Sequence, residues 1–170
     1  MGAGLAILAL LGSALPVYAD PVLHAPARSE AERRIVATVH EWFALLEDRD
    51  IGSRDLADFP IEREFEFLSP EGVVRRGETL RSWLSERSSL YPEFEYRVGT
   101  VRVEPTAEEL YRVRLEFDLR SLDRVGMTHI ARAEQTWLVR HGPDGGTSIL
   151  RIEEHPLLAF PGTGPRIVCY

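Results

Sequence analysis

Apolar and polar side chains alternate without a break along Tyr111–Arg120. Tyr111, Val113, Leu115, Phe117 and Leu119 fall on one parity, and Arg112, Arg114, Glu116, Asp118 and Arg120 on the other. A β-strand sends successive side chains to opposite faces, so this pattern predicts a strand with one dry and one wet face. Half-buried strands of this kind belong to antiparallel sheets covered on a single side. Three more stretches carry strand character: Phe94–Glu104, Thr128–His141 and Thr147–His155. The breaks between the four are 105–108, 123–126 and 142–146, and Gly142-Pro-Asp-Gly-Gly146 is a strong hairpin signal. In Thr128–His141 the odd positions carry Trp137 and Val139 and no formal charge, so they are the inward set. This aims His129 and Gln135 at whatever covers the sheet.

Upstream the period lengthens. Ile35, Val39, Trp42, Phe43 and Leu46 form one stripe on a helix running from about Ser29 to Asp48. Ser29 suits the N-cap, and Glu30 and Glu32 suit the positive end of the helix dipole. A short second helix is expected over Ser53–Phe59, with Leu56 and Phe59 inward, and Pro60 ends it. Ile61–Leu68 alternates again, with Phe65 and Phe67 on one side; a turn at 69–72 and a short return strand over Val73–Arg75 follow. Glu78–Leu90 reads as a helix with Leu80, Trp83, Leu84 and Leu90 on one face.

This order of elements resembles the NTF2-like (SnoaL-like) superfamily, in which a curved sheet wraps around helices to form a cone. The resemblance runs from about Ser29 to His155. It rests on His40–Asp50 (HEWFALLEDRD), Phe65–Gly72 (FEFLSPEG), Arg76–Trp83 (RGETLRSW) and Glu134–Val139 (EQTWLV). It implies an α+β fold, a curved antiparallel sheet around helices, with a cavity inside the cone. Activity does not follow, because the superfamily holds isomerases, dehydratases and cyclases beside non-catalytic binding domains. Its ketosteroid-isomerase chemistry needs a tyrosine donor, a carboxylate base and a protonated carboxyl. The matching positions here hold Trp42, Ser69 and Gln135, which argues against that reaction.

Composition adds an address and some exclusions. Gly2–Val17 has no charged side chain, and the apolar run Leu5–Leu11 is followed by small residues at Val17 and Ala19. Residues 1–19 therefore read as a signal peptide, too short to span a bilayer, with a linker over 20–28, a domain over 29–158 and a tail over 159–170. An exported protein, periplasmic or secreted, is expected, with no membrane attachment after cleavage. Cys169 is the sole cysteine, so the fold must hold without an internal disulfide. A net charge of −7 makes nucleic acid a poor partner, and the absence of lysine excludes Schiff-base chemistry.

Candidate chemistry centres on the inward face. Trp42, Phe67, Tyr111, Phe117 and Trp137 are expected to wall a ligand site, with Gln135 as a polar group set among them. His129 is the candidate general acid or base, since imidazole titrates near neutrality; no inward carboxylate is evident beside it. Tyr96 offers a further hydroxyl near the mouth, and Glu153 with His155, on one parity, would form an acid–base pair there. The five histidines, at 24, 40, 129, 141 and 155, lack metal-ligand spacing, so neither a metal nor another cofactor is expected. Three readings follow: a domain binding a small, mostly apolar molecule without chemistry; an isomerase, dehydratase or cyclase using His129; or a homodimerising module meeting its copy through the outer sheet face.

Overall fold

The computed structural model describes residues 28–69 and 72–159. The leader expected over 1–19, residues 20–27 of the linker expected over 20–28, the tip of the turn at 70–71 and residues 160–170 of the tail lie outside the described residues.

Helix α1 spans Glu30–Glu47 and opens with a full capping box. The Ser29 hydroxyl accepts from the Glu32 backbone N–H at 3.2 Å, and the Ser29 N–H donates to the Glu32 carboxylate at 2.7 Å. Its buried stripe holds Ile35, Val39, Trp42, Phe43 and Leu46, as the spacing predicts. In place of one short helix over 53–59 there are two 3₁₀ turns, Ile51–Ser53 and Leu56–Asp58. Asp55 ends the first segment by capping the second: its side chain accepts from the Ala57 N–H at 3.0 Å. Leu56 and Phe59 are buried as expected.

The remaining elements are β1 (Ile61–Ser69), β2 (Gly72–Arg75), α2 (Glu78–Leu90), β3 (Glu93–Val98), β4 (Arg102–Ala107), β5 (Leu110–Leu122), β6 (Thr128–His141) and β7 (Thr147–Ala159). They build one curved, unclosed sheet in the order β2-β1-β7-β6-β5-β3, with β4 on the same edge of β5 as β3. The strand expected over Phe94–Glu104 is thus divided in two. At the division the Gly99 N–H donates to the Glu116 carbonyl at 2.8 Å, and a Cβ on residue 99 would sit 3.1 Å from that oxygen. A larger residue there would push the two backbones apart by a few tenths of an ångström. All pairings are antiparallel except β1 with β7, which is parallel, with Phe67 opposite Ile152. Alternation reports which face a side chain takes and not which strand lies beside it, so this pairing was invisible in the pattern.

The helices cover the concave face. Trp42 stands at the centre, 5.6 Å from the Phe65 ring, 5.8 Å from Phe59 and 6.3 Å from Trp137. Phe43 packs beside it on Phe117 and Tyr96 at 5.2 and 5.0 Å. The convex face is charged: Arg132 forks onto Asp118 across β5 and β6 at 2.7 and 3.1 Å, while Arg112, Arg114, Glu116 and Arg120 are exposed.

Candidate functional site

Between the helices and the concave face lies a cavity with free space of about 620 Å³ among its walls, mouth included. Water centres have about 40 Å³ of it to occupy. Since one water needs roughly 10–15 Å³ on that measure, the space holds about three. Helix α1 contributes Trp42, Phe43 and Leu46, and β1 contributes Phe67. Phe117 and Leu119 come from β5, Gln135 from β6 and Glu154 from β7. Trp83, Glu86, Arg87 and Leu90 of α2, with Tyr91, Phe94 and Tyr96, complete the wall and mouth.

Four expected site residues, Trp42, Phe67, Phe117 and Gln135, are therefore brought together on one cavity. Tyr111, Trp137 and His129 do not line it. Tyr111 faces His141 at 6.4 Å, at the end of β5 away from the cavity. Trp137 is buried behind the wall, and its indole N–H donates to the Gln135 carbonyl oxygen at 2.8 Å. An indole N–H can only donate, so Gln135 must turn its carbonyl to Trp137 and its amino group toward Glu154. That amino group meets the Glu154 carboxylate at 2.5 Å. Gln135 is thus held by two side chains of the sheet, and the carboxylate it serves is 7% exposed.

Glu154 is the site residue that sequence reasoning missed. Strict alternation puts Glu153 and His155 on the inner parity of β7. The pairing with β6 is irregular, however: Arg151 opposes Leu138 and Ile149 opposes Val139, leaving Leu150 as an extra residue. This β-bulge shifts the phase, so Ile149, Ile152 and Glu154 point inward. The adjacent apolar pair Ile149-Leu150 is its one trace in the sequence. The expected acid–base pair at the mouth is corrected accordingly: Glu153 bonds Arg151 at 2.6 Å, and His155 is exposed.

His129 points inward, as its parity predicts, but the absence of a carboxylate partner does not hold. Its Nε2 lies 3.0 Å from Asp123 Oδ2, and the two side chains are 2% and 13% exposed. Asp123 also accepts from the backbone N–H groups of Val125 and Met127 at 2.9 and 2.8 Å, closing the β5–β6 turn. Gly126 takes the left-handed φ of 83° that this turn requires. The pair was hidden because Asp123 sits in a turn and follows neither strand's parity. The His129 hydrogen bond, followed by the turn N–H groups, holds the Asp123 carboxyl below its ordinary value of 3.8. A depressed folded-state value contributes stability above the ordinary value, and that stability is lost as pH falls through the folded one. Asp123→Asn should therefore melt at a lower temperature than wild type at about pH 6, with the gap closing as pH drops below 3.8. A gap that persists at about pH 2 would show that charge has no part in the turn.

Arg87 shapes the mouth. Its guanidinium lies 3.3 Å from the centre of the Phe94 ring and 5.5 Å from that of Tyr96. It donates to the Leu46 carbonyl at 2.8 Å and to the Tyr96 hydroxyl. Helix α1 has no basic residue in its last turn, so Arg87 supplies the cation its negative end favours. In the same wall, the indole N–H of Trp83 is buried without a hydrogen-bond partner. Among the described residues no cluster of three His, Cys, Asp or Glu is placed to hold a metal ion. None of their helices is long and apolar enough to cross a membrane.

No family model and no curated protein matches the chain by sequence. Solved structures share its fold. An NTF2-like superfamily protein from Salmonella enterica superposes with a TM-score of 0.62 at 14% identity, covering 81% of this chain and 98% of that one. The hexachlorocyclohexane dehydrochlorinase LinA-type3 from Novosphingobium barchaimii gives 0.61 at 10% identity, over 81% and 97%. A protein provisionally named scytalone dehydratase from Novosphingobium aromaticivorans gives 0.65 at 11% identity, over 79% and 89%. At such identities the likeness is one of fold.

Proposed function

We propose that this chain, an NTF2-like cone by fold, binds a small and mostly apolar molecule inside that cone. The observation that carries the reading is the composition of the cavity: an aromatic wall with one oriented polar pair, Gln135 and Glu154, set into it. Sites for small organic molecules are built this way, with apolar bulk for affinity and few polar groups for orientation. Because Trp42 and Trp83 line the space, an occupant should change tryptophan emission. Titrating a panel of neutral and charged phenylalkyl compounds should give at least one saturable change. Leu119→Phe, which fills part of the free space at a stability cost of about 1–3 kcal/mol, should weaken that binding about tenfold. No saturable response from any member would overturn the reading.

A catalytic reading is supported by a separate observation. Two of the structural neighbours carry the names of elimination enzymes, and eliminations need a base. Glu154 is the one buried carboxylate among the described residues, and it lines the cavity, whereas His129 does not. Under this reading the base is Glu154, and product formed in the same titrations would move the assignment from binding to turnover.

A further inference from the structure

Trp83 shares the buried face of α2 with Leu80 and Leu84, and it lines the cavity. Among the described residues two buried side-chain polar atoms have no hydrogen-bond partner. One is the Ser121 hydroxyl, which is not part of the cavity wall; the other is the Trp83 indole N–H, which belongs to a residue that is. An indole N–H can only donate, so it needs an acceptor. The side chains packed on the ring supply none: Phe67, at 5.4 Å, has no acceptor atom, and the Arg87 guanidinium, at 6.0 Å, only donates. The sheet treats its own buried indole differently, giving the Trp137 N–H the Gln135 oxygen at 2.8 Å. A buried donor without an acceptor is uncommon in folded proteins and costs stability, so each instance calls for an account. Here the account is the cavity that the indole borders.

We propose that the ligand of the cone carries a neutral oxygen acceptor, a carbonyl, ester or ether, to which Trp83 donates its indole N–H. This deepens the proposed binding function and rests on it. The N–H is closed to water in the free protein, so the acceptor arrives with the occupant, whose apolar body lies against Phe43, Phe67 and Leu119. A small turn of the indole presents the N–H to it. The acceptor is neutral because a carboxylate would have to leave its water shell to enter a mostly aromatic wall, a cost that one hydrogen bond does not return. Trp83 then separates an oxygenated ligand from a hydrocarbon of the same shape, since only the oxygen relieves the stranded donor.

Acetophenone, ethylbenzene and benzoate share one ring, differ at a single group and serve as probes. The three tryptophans of the full chain give three indole N–H signals by NMR, and Trp83→Phe identifies the one from residue 83. Acetophenone should bind about tenfold more tightly than ethylbenzene, the ratio that one otherwise unmet hydrogen bond supplies. Its saturation should move the Trp83 indole proton downfield, and ethylbenzene should not. Trp83→Phe keeps a ring in the wall without the N–H and should bring the ratio of ketone to hydrocarbon affinity near one. If that variant does not fold, the wild-type affinities and the indole shift decide. Ketone binding no tighter than that of the hydrocarbon, an indole signal the ketone does not move downfield, or tighter binding of benzoate overturns the acceptor assignment and leaves the binding function standing. Should no member of the wider panel bind, the binding function itself falls, and this inference with it.

Discussion

Replacing Trp42 with alanine is expected to remove about 3–5 kcal/mol of stability, the range seen when a large core aromatic is truncated and the gap cannot close. Trp42 is 1% exposed and meets the rings of Phe59, Phe65 and Trp137, so its neighbours come from α1's own layer, β1 and β6. Those elements are fixed by the sheet and cannot collapse together into the hole. Domains of this size are stable by roughly 5–15 kcal/mol, so the variant should lose a large share of its folded-state margin. Urea denaturation reads this as a large fall in midpoint with an unchanged slope. Trp42→Phe, which keeps a ring in place, should lose clearly less. A loss below about 1 kcal/mol for the alanine variant would mean that Trp42 is not the centre of the core.

The second large effect is expected at Gln135. Gln135→Leu keeps the volume but leaves the buried Trp137 N–H without its acceptor and takes from Glu154 its amide donor. Leaving the Trp137 N–H without its acceptor costs about 1–3 kcal/mol, so a loss of that order is expected. Adding Glu154→Leu should cost less than the two single losses summed, because the Gln135–Glu154 contact is then lost once and not twice. Equilibrium unfolding of wild type, both single variants and the double closes the cycle. A double variant as unstable as the two losses added together would show that Gln135 and Glu154 act independently. That result would also remove the polar pair from the account of the cavity.

Much of the fold was legible because burial on one face leaves a periodic record. The stripe of α1 and the parities of β5 and β6 placed Trp42, Phe117 and Gln135 inward, and all three meet at the cavity. The record fails wherever the backbone departs from its period. The bulge at Leu150 hid Glu154, and the turn around Gly126 hid the partner of His129. It fails also for distance along a face: Tyr111 lies on the same dry face as Phe117, yet three residue pairs away along β5 it is beyond the cavity. Arg87 was overlooked for a different reason. A charged residue on an amphipathic helix is read as solvated, whereas here its long stem carries the guanidinium over the rings at the mouth.

The displaced phase of β7 bears on how such a cavity changes its chemistry over generations. Ile152 stays opposite Trp137, and the next inward place, opposite Gln135, belongs to whichever residue follows two steps on; at present that is Glu154. Deleting Glu153, the one residue between them, would seat His155 there. That puts an imidazole, a base near neutrality, in place of a carboxylate. A change of length by a single codon, with every other wall residue retained, would therefore exchange the group the cavity presents to its occupant.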